Sequence, residues 1–576
     1  MSLVDLRAKP YFLTEEDIRW VETTIQSMSL EEKIGQLFFQ LFHSFEEAEV
    51  IDFINTYHLG GARYSAASSE KVQGLVKTLQ SNAKIPLFVA CNCDSGGDGA
   101  CTDGTYIASG AQCEASGDPQ VAYNAGYVSG AEAVALGCNW NFDPCADILT
   151  NWRNTIVNTR AYGTNADTVL RYILPYVKGL RQSTIISTIK HFPGDGTEER
   201  DQHLVLGVNE MSVQEWDASF GKLYKAMIDD GIMSIMAGHI ALPQYSRALV
   251  PEMTYDEIMP ATLAPELIQD LLKKKLGFNG LVITDASHML GFSAAMQRKD
   301  AVPRAIAAGC DMFLFMNDPA EDFQYMMQGY KNGIITEERL TDALRRILGL
   351  KAAIKLHTAK AENRLLPSAE SLSVIGCAAH KEMAREAADK GITLVKNTLG
   401  QLPLSPSVHK RIRLYFLDNT EIGVYTEFDE KGNPIKTENK TLALFKKELE
   451  AAGFIVDVNT RGVREKGSVE TYKETVDAAL VVSDIRGYAV ENNYRIRWSC
   501  AMANEIPWYV WEVPTVFVSL NYTTHLTDVP MVKAYINAYA RTPEIIHQVV
   551  QKIIGASPFK GTYNENVWCN KWETRR

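Results

Sequence analysis

Along the first 350 residues, short apolar runs alternate with longer stretches in which apolar positions recur every three or four residues. The runs are IGQLFFQLF, GGARY, PLFVACN, CNWNFDP, IISTIKHF, IMSIMAGHI, GLVITDA and DMFLFM. Short runs bounded by breakers read as buried strands, and the three-to-four spacing reads as helix. APELIQDLLKKKLG, ending on Gly277, is one such helix with its glycine stop. Eight strands alternating with helices predict an α/β fold, an N-terminal (β/α)8 TIM-like barrel. On pattern alone, an open doubly wound sheet is the competing arrangement.

The pattern breaks at HTAKAENRLLPSAES, a polar, basic stretch with a proline and serines near its end. After it, HKEMAREAADKGITLVKN, IRLYFLDN, AALVVSDIRGY and TVFVSLNY again mix helices with short strands, as in a smaller α/β sandwich. The expected organisation is a barrel over 1–355, a linker over 356–371 and a C-terminal α/β sandwich domain over 372–576.

With 46% hydrophobic and 22% charged residues, the chain has ordinary globular proportions and no compositional case for disorder. A net charge of −12 argues against nucleic acid, whose phosphates require a clustered basic surface. No apolar run approaches a membrane span, so no membrane partner is expected. The N-terminus lacks the basic start and apolar core of a signal peptide, which makes the cytoplasm the default. Cys91, Cys93, Cys101 and Cys113 cluster, but C-x-C followed by irregular gaps is not the paired spacing of structural zinc. Buried free thiols are the expectation, with no metal and no organic cofactor.

In a barrel, reactive groups belong where strands end, on the loops of the C-terminal face. The polar residues follow that rule. Asn92 and Asp94 follow PLFVAC, Asp147 follows NWNFDPCA, Lys190 and His191 close ISTI, His239 closes IMSIMAG and Asp285 closes GLVIT. Any one of them alone reads as a solvated loop residue or a cap; agreement at five strand ends reads as a site. KHFPGDGTEERDQH, from Lys190 to His203, adds a dense group of acids, bases and glycines. Asp201 and His203 lie two apart, so in an extended segment they share a face, and Gly194 and Gly196 would let the segment swing.

KHFPGDG followed by DQH, together with GLVITDASHM, resembles glycoside hydrolase family 3, in its two-domain β-N-acetylglucosaminidase (NagZ-like) branch. NWNFDPCADI, NTIVNTRAYGTNAD and LLKKKLGFNGLVITDASHMLGF resemble blocks of the same family in the same order. The resemblance implies roles for particular residues. Asp285 matches the nucleophile that forms a covalent glycosyl-enzyme. His203 matches the general acid/base and Asp201 the carboxylate that orients it, in place of the usual second carboxylate. An imidazole near pKa 6.5 can protonate a leaving oxygen and later deprotonate water around neutral pH. Lys190, His191 and Arg160 match sugar ligands.

Four positions depart from the family pattern. Asp195 replaces a histidine of the glycine-rich loop, and Gln202 replaces a small hydroxyl residue between the dyad members. NCDSGG stands where relatives read D-x-E-G-G, so Asn92 takes the place of the acid that would bind the sugar's outer hydroxyls and Asp94 takes the place of the glutamate. An amide both donates and accepts, which changes selectivity more than it changes reaction type. The resemblance therefore implies a retaining exo-β-glycosidase acting on a small carbohydrate, first of all a β-linked N-acetylglucosaminide. A phosphorylase passing the same intermediate to phosphate is the alternative within enzymes. A β-glucosidase is the next, weakened because the dyad makes an acid from the second domain unnecessary. A sugar-binding protein on a retired scaffold is the non-enzyme alternative, and the joint presence of Asp285, Asp201 and His203 counts against it.

Overall fold

The structure is a computed structural model of the chain and describes residues 3–419, 439–464, 467–487, 489 and 493–576. The last residue of the AALVVSDIRGY run, Tyr488, lies outside the described residues. The eight apolar runs of the first part are eight strands: β1 (Phe38–Phe42), β2 (Gly61–Tyr64), β3 (Phe88–Cys91), β4 (Trp140–Asn141), β5 (Ile186–Phe192), β6 (Ser234–Ala237), β7 (Leu281–Ala286) and β8 (Met312–Leu314). All pair in parallel with their sequence neighbours, and β8 closes on β1, giving a closed barrel. The sequence-based expectation of a (β/α)8 barrel holds, because a parallel strand buried on both faces must be nearly all apolar, as these runs are.

Two irregularities interrupt the ladder. Ile189 pairs with Ile235 and Phe192 with Ala237, so Lys190 and His191 oppose the single residue Met236. On the far side of β7, Ile283 pairs with Met312 and Ala286 with Leu314, so Thr284 and Asp285 oppose Phe313 alone. Each is a bulge, a device that re-aims side chains next to functional sites. Both fall at strand ends singled out from sequence.

The barrel interior is filled rather than hollow. Trp140 is fully buried, packs edge-on against Phe39, Phe88 and Phe142 with centroids 4.6–5.7 Å away, and donates its Nε1–H to Thr188 Oγ1 at 2.5 Å. At the start of β7 and β8, Asp311 accepts from Val282 N at 2.8 Å and pairs with Arg339, which also binds Asp342 at 2.9 Å. These charges are buried but mutually paired, the condition under which buried ions are tolerated.

By compactness the chain forms two units. One comprises Met1–Tyr106, Ala122–Leu149 and Asn165–His380; the other comprises Ile107–Val121, Thr150–Thr164 and Lys381–Arg576. The stretch 356–371 begins with a helix, Leu356–Ala361, and Lys355, just before it, pairs with Asp17 at 2.6 Å. The second unit holds a six-stranded sheet of β9 (Thr393–Asn397), β10 (Arg411–Asp418), β11 (Ile455–Val458), β12 (Ala478–Asp484), β13 (Thr515–Ser519) and β14 (Ala534–Asn537). Its order is β9-β14-β13-β12-β10-β11, parallel except for the edge strand β9, which runs antiparallel to β14. Tyr415 and Tyr509 stack at 4.8 Å in its core, and Tyr415 shares a hydrogen bond of 3.0 Å with Tyr472. Within this unit the segment 150–164 is held by Tyr522, which donates to Thr155 O at 3.2 Å, and by Arg495, which lies 6.0 Å from the Trp152 ring. No helix among the described residues is long and apolar enough to cross a membrane.

Trp140→Ala removes the ring that three barrel phenylalanines share. The expected loss is about 3–5 kcal/mol of unfolding free energy, the cost of emptying a buried aromatic site, and chemical denaturation of the wild type and the variant measures it.

Candidate active site

The C-terminal end of β5 is built around one buried carboxylate. Asp147 Oδ1 accepts from the backbone N–H of His191 at 3.1 Å and of Asp195 at 2.8 Å. Its Oδ2 lies 2.8 Å from His191 Nδ1 and 3.1 Å from Cys145 Sγ. Burial opposes the charge on Asp147, but the His191 ring and these hydrogen bonds outweigh it and hold the carboxyl below the usual range. With Nδ1–H given to Asp147, His191 turns Nε2 toward Asp285, whose Oδ2 is 3.8 Å away. The neighbouring Lys190 is buried and pairs with Asp143 Oδ1 at 2.5 Å. A strictly alternating strand would send Lys190 and His191 to opposite faces. The bulge lets both engage carboxylates of the single segment 143–147.

Asp285 sits in the bulge at the end of β7, its Oδ1 accepting from Ala286 N at 2.7 Å. Burial raises its pKa, but the fields of His191, His239 and His203 lower it further, so the net shift is downward and the carboxylate is the resting form. His239, at the end of β6, is fully buried and held on both nitrogens, by Thr262 Oγ1 at 2.9 Å and Ala286 O at 3.0 Å. Burial pushes its pKa down to about 4. It is therefore neutral near pH 7.

The loop after β5 carries the proposed dyad. His203 Nδ1 lies 2.7 Å from Asp201 Oδ1, and the same oxygen accepts His203 N at 2.8 Å. Asp201 is fully buried while the His203 ring is part-exposed. The loop is anchored rather than loose. Residues 207–208 pair with 240–241, Asn209 Nδ2 donates to Gly194 O at 3.1 Å, and Leu290 N donates to His203 O at 3.0 Å. Gly194 (φ +125°) and Gly196 (φ +94°) are required by conformation: an added Cβ would fall 2.3 Å from the Phe220 ring and 2.4 Å from Ile148 O. The glycines thus fix a tight path, where the sequence reading gives them freedom to swing.

The remaining candidates are placed as follows. Asn92 follows β3 directly, and its Oδ1 accepts from Arg63 Nε, on β2, at 3.1 Å. The amide nitrogen is thereby turned into the group Asn92 offers as a donor. Asp94 lies two residues further along the same loop and is part-exposed. Arg160 belongs to a short helical turn, Asn158–Arg160, on the segment that packs with the second unit. The structure therefore brings Asp285, His191, His203 and Asp201 together in the barrel unit, with Lys190 beside them at the end of β5. Sequence reasoning passes over Asp143 and Arg63 as partners of candidate residues. NFDP places a carboxylate at a strand end, but nothing in the pattern pairs it with Lys190. The ligand atoms of Cys145, Asp147 and His191 lie within 4.8 Å of one another, a spacing that could hold a metal ion. Their contacts with each other are already hydrogen bonds that satisfy the Asp147 carboxylate, so the cluster is explained without an ion.

A strand-end aspartate beside an imidazole–carboxylate pair, at the mouth of a closed parallel barrel, is an arrangement suited to a barrel enzyme. Residues 29–350 match the model described as glycosyl hydrolase family 3 N terminal domain. A protein from Cellulomonas fimi named beta-N-acetylglucosaminidase/beta-glucosidase is 38% identical over 99% of this chain and 100% of its own length. The solved structure of a beta-glucoside phosphorylase, BglX, is 36% identical, with a TM-score of 0.91 over 99% of both chains. A family 3 β-N-acetylglucosaminidase structure from Paenibacillus shares the fold at 24% identity and a TM-score of 0.76, over 93% of this chain and 98% of its own. The chain belongs to glycosyl hydrolase family 3, and it is a glycoside-acting enzyme.

The depressed pKa of His239 has a consequence for stability. Its folded value of about 4 lies below the unfolded value near 6.5, so the unfolded chain binds the extra proton first. The stability tied to a neutral His239 is complete above pH 6.5 and is lost as pH falls toward 4, by about 3 kcal/mol in all. His239→Gln keeps an amide able to reach Ala286 O but does not titrate. Its melting temperature is expected to fall less steeply than that of the wild type between pH 7 and 4.5, and parallel curves would exclude His239 as the titrating group.

Proposed function

We propose that the protein is a retaining enzyme that transfers the glycosyl group of small β-glucosides and β-N-acetylglucosaminides to inorganic phosphate through a glycosyl–Asp285 intermediate. The observation that carries this reading is the dyad: the proton-transfer group beside Asp285 is an imidazole held by Asp201 at 2.7 Å, not a second carboxylate. The Asp285 oxygen attacks the anomeric carbon while the bond to the leaving oxygen breaks, and His203 Nε2–H supplies that oxygen with its proton. The imidazole is then neutral. An incoming phosphate dianion meets no carboxylate there, which avoids a repulsion of about 1–3 kcal/mol per unit charge at ~5 Å. Phosphate displaces Asp285 from the anomeric carbon, giving a glycosyl phosphate of retained configuration and restoring the carboxylate. A proton passed from the phosphate to His203 resets the acid.

Water is the acceptor that the sequence reading puts first. The likeness to the beta-glucoside phosphorylase along nearly the whole of both chains supports phosphate instead. The name of the Cellulomonas fimi relative supports a site open to both sugars, as does Asn92, whose amide replaces a charged hydroxyl ligand by the resemblance. In this reading Lys190 and His191 bind the sugar hydroxyls together with Asn92 and Asp94.

The test uses nitrophenyl β-glucoside and β-N-acetylglucosaminide with and without phosphate, the products being followed by ³¹P NMR. Turnover is expected to rise with phosphate to a plateau, with glycosyl phosphate as the main product. Free sugar alone, at a rate indifferent to phosphate, would return the reading to hydrolysis. Asp285→Asn is expected to lower turnover by at least about 10³-fold while sugar binding persists. Retention of most of the activity would remove Asp285 as the nucleophile.

Asn92→Asp places a carboxylate against Arg63, 3.1 Å from the present Oδ1, and restores the charge that relatives carry. The ratio of specificity constants for gluco and galacto substrates is expected to change by the equivalent of about 1–3 kcal/mol. An unchanged ratio would show that Asn92 does not read the sugar.

A further inference from the structure

Asp195 and Gln202, two positions at which the loop departs from its family pattern, meet in the structure: Gln202 Nε2 donates to Asp195 Oδ2 at 3.4 Å. The other end of the same amide is also engaged, with Gln202 Oε1 accepting from His239 N at 2.8 Å. Gln202 is buried, and its backbone oxygen accepts from Gly291 N at 3.2 Å. Two glycines lie against it. A Cβ on Gly291 would fall 3.0 Å from Gln202 O, and one on Gly238 would fall 3.3 Å from Gln202 Oε1. Asp195 is tied in turn to Asp147 through its backbone N–H at 2.8 Å. One side chain therefore joins the residue next to His203 to the ends of β5 and β6, and its backbone joins it to the segment after β7.

We propose that Gln202 and Asp195 form a latch that holds the loop against the barrel and thereby sets the position of His203 for proton transfer. Both are positioning residues. The chemistry of the site suits an amide, because the gap presents a backbone N–H on one side and a carboxylate on the other, and an amide accepts from the first while donating to the second. A serine is too short to reach both. A glutamate fills the same space but sets a second carboxylate against Asp195. The proposal rests on the reading of His203 as the group that protonates the leaving oxygen.

The experiment compares Gln202→Ser, Asp195→Ala and the double variant on a nitrophenyl and an alkyl β-glycoside. Aglycone release is measured before the steady state, with His203→Ala in the same assay. A misplaced acid matters only where the leaving group needs a proton, so each single variant is expected to slow the alkyl substrate about 10-fold and the nitrophenyl substrate less than about 2-fold. The double variant is expected to be no slower than the slower single, as for two residues acting through one contact. Additive losses near ~100-fold, equal slowing of both substrates, or an unaffected alkyl rate in Gln202→Ser would overturn the latch. Gln202→Glu preserves volume if the serine variant folds poorly. It is expected to slow the alkyl substrate at pH 7 and to recover relative to the wild type as pH falls toward 5 and one carboxyl is protonated, and wild-type behaviour at pH 7 counts against the proposal. If His203→Ala itself slows both substrates equally, the reading of His203 has failed; if it discriminates and the Gln202 variants do not, only the latch has failed.

Discussion

The mouth of the barrel depends on the burial of one ionised carboxylate. Asp147 has no access to water, so its charge is tolerable only while protein donors replace the lost hydration. Those donors are the backbone of His191, the ring of His191, the backbone of Asp195 and the thiol of Cys145. Satisfying Asp147 therefore dictates the course of the chain at the end of β5 and at the first turn of the loop that follows. Removal of any one donor would leave part of a buried charge unpaired, which is why the same atoms that stabilise the unit also fix the imidazole facing Asp285.

From that anchor the electrostatics of the site follow. His191 and His203 lie within range of Asp285 and favour its ionised form, while His239, fully engaged by Thr262 and Ala286 and kept neutral by burial, acts as a rigid wall. Three histidines around one aspartate thus divide the work by environment: one is oriented by a buried acid, one is part-exposed on a loop, and one is locked.

Much of this was legible in the sequence because the signals are local. A strand buried on both faces must be apolar, so runs such as PLFVACN and GLVITDA reveal the barrel, and the residue that ends each run marks its mouth. The Asp201–His203 spacing likewise carries its own geometry. What was not legible is relational. The pairing of Lys190 with Asp143 and the grip of Arg63 on Asn92 depend on which strand ends become neighbours in space, and the contact between Asp195 and Gln202 depends on how the loop between them folds back. The same holds for 107–121 and 150–164, which are counted with the second unit although they lie between barrel strands in sequence. Apolar periodicity says that a segment leaves a strand, not which core it joins.

The two bulges carry a consequence for how such a barrel can change. In a flawless ladder, parity is inherited along a strand: once one side chain faces inward, the direction of every later one is decided. Lys190 with His191, and Thr284 with Asp285, each stand opposite a single residue of the adjoining strand, so the count restarts at that point. Below it the strands keep the alternation that packs the interior; above it two successive residues can serve the same cavity. Deleting one residue at either place would give a more regular sheet and a site with its groups turned the wrong way. The fold therefore carries a small flaw in hydrogen bonding as a hereditary boundary, with sequence below it answering to packing and sequence above it open to new chemistry.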